Sequence, residues 1–157
     1  MRPRPLTALL PLALLAGTAL AGCGGPGEDF DPGHQPGAEG ITAVIRVYGK
    51  AIGEGDGPRA CSLMSRAAQE QVMERSGVPG NCLDAVSAIA EPLSDDARTS
   101  LADVQVTDID GEETTSASAT ATASGAGAEE ATAALGGTVF TMSVAEARWG
   151  IDSIQHG

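Results

Sequence analysis

Histidine is almost missing from this chain. His34 and His156 are the only two among 157 residues, and the second is the penultimate residue. A domain body without imidazole holds no Ser-His-Asp triad and no Cys-His pair. It also lacks the ligand spacing of a His-rich metal centre, and no metal role is expected for His34. Lysine is scarcer still: Lys50 stands alone against eight arginines, and the net charge is −12. Such a balance excludes a phosphate backbone as partner, because nucleic acid requires clustered Lys and Arg. It equally excludes docking on anionic head groups, which attract polybasic segments. No glycine loop of phosphate-binding form is present, and no Cys-x-x-Cys pair marks a thiol redox site. The paired acids Asp95-Asp96, Glu112-Glu113 and Glu129-Glu130 match no calcium loop and read as solvated loops. No cofactor is expected.

What is present begins with a leader. Arg2 and Arg4 open it, and Leu6 to Leu20 is apolar apart from Thr7, Pro11, Gly17 and Thr18. That run is shorter than the ~20 residues of a permanent membrane helix. Leu20-Ala21-Gly22-Cys23 closes it, with the small residues a signal peptidase needs. The pattern resembles bacterial lipoproteins. The resemblance implies residues 1–22 as signal peptide, cleavage between Gly22 and Cys23, and acyl chains such as palmitate on Cys23. Two or more chains would anchor stably, at ~0.8 kcal/mol per buried CH₂. The expected location is the extracytoplasmic face of the cell membrane. Arg2-Pro3-Arg4 is not a twin-arginine pair, so export of an unfolded chain is expected. Removal of the leader leaves 135 residues with a net charge of −14, enough for one domain with a modest core.

With Cys23 assigned to lipid, Cys61 and Cys82 remain. An even pair outside the cytoplasm favours a disulfide. A metal pair would want further His or Cys nearby, and there is none. The closed loop is worth roughly 3 kcal/mol in the chain-entropy model.

Residues 23–39 read as the lipidated Cys and a flexible acidic tether, rich in Gly and Pro. Gly24 to Glu39 would span roughly 20–25 Å on average. The domain is expected over 40–154, with 155–157 a tail. Ile41, Val44, Ile45, Tyr48 and Ile52 share one face of a first helix, which Gly53-Glu54-Gly55-Asp56-Gly57 ends. Asp56 caps a second helix, with Pro58 in its first turn and Leu63, Met64, Ala67, Ala68 and Val72 inward. Asn81 caps a third, presenting Leu83, Val86, Ala90 and Leu93. After Pro92 the period turns to alternation. Val104 and Val106 mark a strand and Asp110-Gly111 a turn. Thr115, Ala117, Ala119, Ala121 and Ala123 alternate with hydroxyl residues, giving a strand with a small-residue face inward. A disordered or glycosylated tract is the alternative. Gly125 to Gly137 reads as a loop or poor strand. Phe140, Met142 and Val144 then face Trp149 and Ile151 across a Glu146-Ala147 turn.

The order of these elements resembles the nuclear transport factor 2-like superfamily. The residues that carry it are Ala43-Val44-Ile45-Arg46-Val47-Tyr48 leading to Gly55-Asp56-Gly57, and the closing Arg148-Trp149-Gly150-Ile151-Asp152-Ser153-Ile154. It implies an α+β fold: three N-terminal helices packed on a curved antiparallel sheet, cone-shaped, with one disulfide. Small secreted lipoproteins of this layout often carry a Cys pair placed like Cys61 and Cys82. A cone cavity is implied as well. Some members place a carboxylate base and a donor there, and many are non-catalytic binders, so fold alone does not decide function.

For a catalytic cone the candidate residues are Asp108, at the parity of Val104 and Val106, and Tyr48 as donor. Each has a plainer reading: Tyr48 as core, Asp108 as a strand end. The expected function is a membrane-tethered, non-catalytic binding or accessory module for a small apolar ligand or an envelope protein. The alternative is a small isomerase- or hydratase-like enzyme. The outer sheet face is rich in Thr and Ser and poor in aromatic anchors, which favours a monomer over a homodimer.

Overall fold

The computed structural model describes residues 31–157; the leader, Cys23 and the first half of the expected tether lie outside the described residues. The fold is α+β, with six α-helices and one four-stranded antiparallel sheet. A short 3-10 turn, Pro32–His34, leads into helix α1, Gly37–Glu54. Residues 31–39 therefore belong to the folded unit and not to a tether. The composition misled because Asp31-Pro32-Gly33 is itself a turn: the Asp31 carboxylate accepts from the Gly33 N–H at 3.0 Å.

Five helices, not three, precede the first strand. Helix α1 buries Ile41, Val44, Ile45, Tyr48 and Ile52 completely, and Gly55 ends it in the left-handed conformation. The expected second helix is two. Helix α2, Gly57–Ser62, is capped by Asp56, whose carboxylate accepts from the Arg59 N–H at 3.0 Å. Helix α3, Arg66–Ser76, starts afresh because the Ser65 hydroxyl caps it. The link between them joins the sheet instead. Ser65 N–H donates to the Ile151 carbonyl, and Ile151 N–H donates to the Leu63 carbonyl, both at 2.8 Å. This new start turns Ala67 outward while Ala68 and Val72 stay buried.

Asn81 caps helix α4, Cys82–Ala90, accepting from the N–H groups of Leu83 and Asp84. The Cys61–Cys82 disulfide ties α2 to the first residue of α4, with 6.1 Å between Cα atoms. Cys82, Ala85 and Val86 face inward, so Leu83 points out and is 44% exposed, against the expectation. Gly57 permits this seam: a Cβ there would stand 2.9 Å from the Leu83 Cα.

Helix α5, Asp95–Ala102, is capped by Ser94 and carries Asp95 and Asp96 in its first turn, where acids suit the helix dipole. Arg98 projects from it and donates to the carbonyls of Gly53, Ala90 and Leu93, joining three chain segments. Helix α6, Ala128–Leu135, occupies what read as a loop. Ser94 bonds its Glu130 through both N–H and hydroxyl, at 2.9 and 2.6 Å.

The strands are β1 (Gln105–Asp110), β2 (Ser116–Thr122), β3 (Val139–Ala145) and β4 (Arg148–Gln155), in the spatial order β1-β2-β3-β4. The alternation in β2 is realised. Ala117, Ala119 and Ala121 are buried, the Ser and Thr between them face out, and only Thr115 departs by being exposed. Small residues here stand beside large ones on β3: Ala119 pairs with Phe140 and Ala117 with Met142. The last hairpin has the expected register, with Val144 opposite Trp149 and Met142 opposite Ile151. Glu146 and Ala147 make its turn with φ of 54° and 60°.

Candidate functional site

The interior comes first, because a catalytic cone would have to be there. Ile41, Ile45, Tyr48, Phe140, Met142 and Ile151 belong to one buried cluster, each with no exposed surface. The Tyr48 hydroxyl donates to the Leu135 carbonyl at 3.4 Å, and burial pushes its pKa up, against the opposing charge and hydrogen bond of Arg75. Tyr48 is a satisfied core residue tied to the end of α6.

Asp108 lies elsewhere. The β1–β2 register shifts between Thr107 and Asp110, and Asp108 adopts φ 49° on that bulge. Parity breaks there: Asp108 is exposed, and Ile109 takes the half-buried place. The Asp108 carboxylate accepts from the neighbouring Thr107 hydroxyl at 3.0 Å. The two candidate groups are thus not brought together. Among the described residues no cluster of His, Cys, Asp and Glu could hold a metal ion, and no buried side-chain polar atom is left without a partner.

A surface hollow lies between the α2–α3 link and the β3–β4 hairpin, with a volume of about 320 Å³. Leu63, Met64 and Ala145 form its apolar side. His34, Ser62, Ser143, Glu146 and Arg148 supply polar groups. Arg148 organises the rim. One guanidinium nitrogen donates to the Asp31 carboxylate at 3.0 Å and the other to the Ser62 carbonyl at 2.6 Å. His34 Nδ1 stands 3.2 Å from the same Asp31 carboxylate.

Comparison of the chain with family models, curated proteins and solved structures finds no match.

Sequence reasoning passed over the rim. In the sequence Asp31 and His34 read as tether, and Arg148 as one residue of a family motif. The available signal was the Asp-Pro-Gly turn, since Asp in that position bonds its own backbone two residues on. The hollow can receive a small molecule with an apolar part and a hydrogen-bonding part. Its rim carries the His34–Asp31 pair and the Glu146 carboxylate.

Proposed function

We propose that this chain is a lipid-anchored lipoprotein on the extracytoplasmic face of the membrane. Its domain, of nuclear transport factor 2-like kind, acts as a non-catalytic binding or accessory module for a small ligand or an envelope partner. Leu20-Ala21-Gly22-Cys23 after an apolar leader supports the anchor. The Cys61–Cys82 disulfide agrees with an oxidising compartment. One observation carries the non-catalytic reading. Tyr48, the candidate donor, is sealed in the core, while Asp108, the candidate base, stands on an exposed bulge.

The rim hollow is the proposed contact site, since it combines apolar and hydrogen-bonding walls in one concavity. The test is photo-crosslinking of the membrane-held protein from position 145 or 146, with position 74 on the exposed side of α3 as control. A discrete adduct from the hairpin positions that the control lacks supports the reading. Equal labelling from all three positions removes the hollow as the contact. Turnover of an isomerase or hydratase substrate that disappears in Asp108→Asn would replace the reading with the enzymatic one.

A further inference from the structure

The charges around the hollow are unequally engaged. Arg148 is matched on both terminal nitrogens: Nη1 donates to the Asp31 carboxylate at 3.0 Å and Nη2 to the Ser62 carbonyl at 2.6 Å. Asp31 is matched as fully. One of its oxygens takes the Gly33 N–H at 3.0 Å, and the other faces Arg148 and, at 3.2 Å, His34 Nδ1. These two opposite charges cancel, so an incoming anion meets a cation that is already held. The hydroxyls of Ser62 and Ser65 donate to the carbonyls of Arg59 and Asp152. Glu146 and Ser143 differ. Both line the hollow, and among the described residues neither side chain has a hydrogen-bond or ion-pair partner. Glu146 also sits at φ 54°, ahead of Ala147 at 60°, in a turn that prefers Asn-Gly. Backbone strain of this kind gathers at binding sites. Here it keeps an unmatched carboxylate beside an apolar wall of Leu63, Met64 and Ala145.

We propose that the hollow takes a small primary amine, in its ammonium form, on a short alkyl stem. The proposal rests on the hollow as contact site and is independent of the lipid anchor. A primary ammonium carries three N–H donors and no acceptor. The Glu146 carboxylate and the Ser143 hydroxyl accept two of them, and water takes the third. The stem lies along Leu63, Met64 and Ala145. The charge-assisted bond to Glu146 discriminates against a neutral or acidic head group. A quaternary ammonium has no N–H to donate and is held best by aromatic faces, and no aromatic residue lines this hollow.

The test titrates the nitrogen-15-labelled full chain, in dodecylmaltoside, with n-butylammonium, 1-butanol and butyrate. At pH 8 imidazole is uncharged and the alkylammonium is not. Amide shifts at residues 63–65 and 143–150 report the hollow. Butylammonium is expected to bind there about fivefold more tightly than butanol, and butyrate more weakly than butanol. Glu146→Gln should bring the amine down to the level of butanol and leave butanol unchanged. Glu146→Asn with Ala147→Gly should do the same in a more stable hairpin, so the loss is not one of folding. Glu74→Gln removes the same charge from the exposed side of α3 and should change nothing. With a net charge of −12, the chain draws cations to its surface in general. An amine preference that falls equally in Glu74→Gln is that attraction and overturns the site. Butanol or butyrate binding as tightly as the amine overturns the ammonium head and leaves the hollow as the contact. No shift at the hollow from any of the three removes the hollow as a small-ligand site, and the proposal with it.

Discussion

The rings of Tyr48 and Phe140 meet edge to face, with centroids 6.1 Å apart and planes at 73°. One comes from α1 and the other from β3, so this contact joins the helical layer to the sheet. Both side chains are fully buried. In a chain with only four aromatic residues, the pair is a principal packing contact and not a ligand platform.

Phe140→Ala is expected to cost about 3–5 kcal/mol, as large-to-small changes do in a packed core. Tyr48→Phe keeps the ring and loses the hydroxyl's interactions with the Leu135 carbonyl and Arg75, so about 1–3 kcal/mol is expected. Urea unfolding of both variants checks the ranking. A Tyr48→Phe protein as stable as wild type that fails to recognise a partner would return Tyr48 to a functional role.

The disulfide closes a short loop between α2 and α4. Replacing both Cys61 and Cys82 by Ser is expected to cost about 2–4 kcal/mol. Gly57→Ala should weaken the same seam, because the new methyl would press on the Leu83 backbone. Thermal unfolding with and without reductant separates the two effects: reductant should lower the wild-type midpoint and leave that of the double Ser variant unmoved.

The β3–β4 turn places two residues with side chains in the left-handed region. That is the geometry of a type I′ turn, which prefers Asn-Gly. Glu146→Asn with Ala147→Gly is expected to stabilise the hairpin by about 1 kcal/mol, by relief of left-handed strain. A higher unfolding midpoint with unchanged near-ultraviolet signal from Trp149 is the outcome to look for.

Acid should loosen the Asp31–Arg148 pair, and the sign follows from Asp31. Burial pushes its carboxyl up. The Arg148 hydrogen bond, the Gly33 N–H, and the charges of Arg148 and His34 outweigh burial and hold it below its usual 3.8. Glu146, on the same hollow, and Glu112, on the adjoining one beside Gly33 and His34, are further acids nearby. A carboxyl lowered on folding contributes stability that is complete above the unfolded value of about 3.9 and is lost as pH falls through the folded value. Exchange at residues 32–35, corrected for intrinsic rate, should therefore stay flat from neutrality to about pH 4 and rise only below it. In Asp31→Asn this acid step should vanish.

Much of this fold is legible in the residues. Asp56 and Asn81 announce their helices because a short polar side chain there can bond free N–H groups. The final hairpin is legible because only one register puts both apolar sets on one side. Helix α5 escapes because Leu101 and Ala97 are nearly its only apolar residues, and its start is written in Ser94 and two acids. Helix α6 hides because Ala-Glu-Glu-Ala-Thr-Ala-Ala-Leu is flanked by Gly125, Gly127, Gly136 and Gly137, which read as loop. Asp108 was misplaced because parity carries through a strand only until a bulge resets it. The Asp31–Arg148 pair is invisible in the sequence because its partners lie 117 positions apart, and no local pattern records such a pair.

Intact mass spectrometry of protein extracted from native membranes tests the central claim most directly. The expected species begins at Cys23, carries two or three acyl chains there, and is two hydrogens lighter than its reduced form through the Cys61–Cys82 bond. A chain with an unmodified Cys23, or with thiols free at 61 and 82, would contradict it.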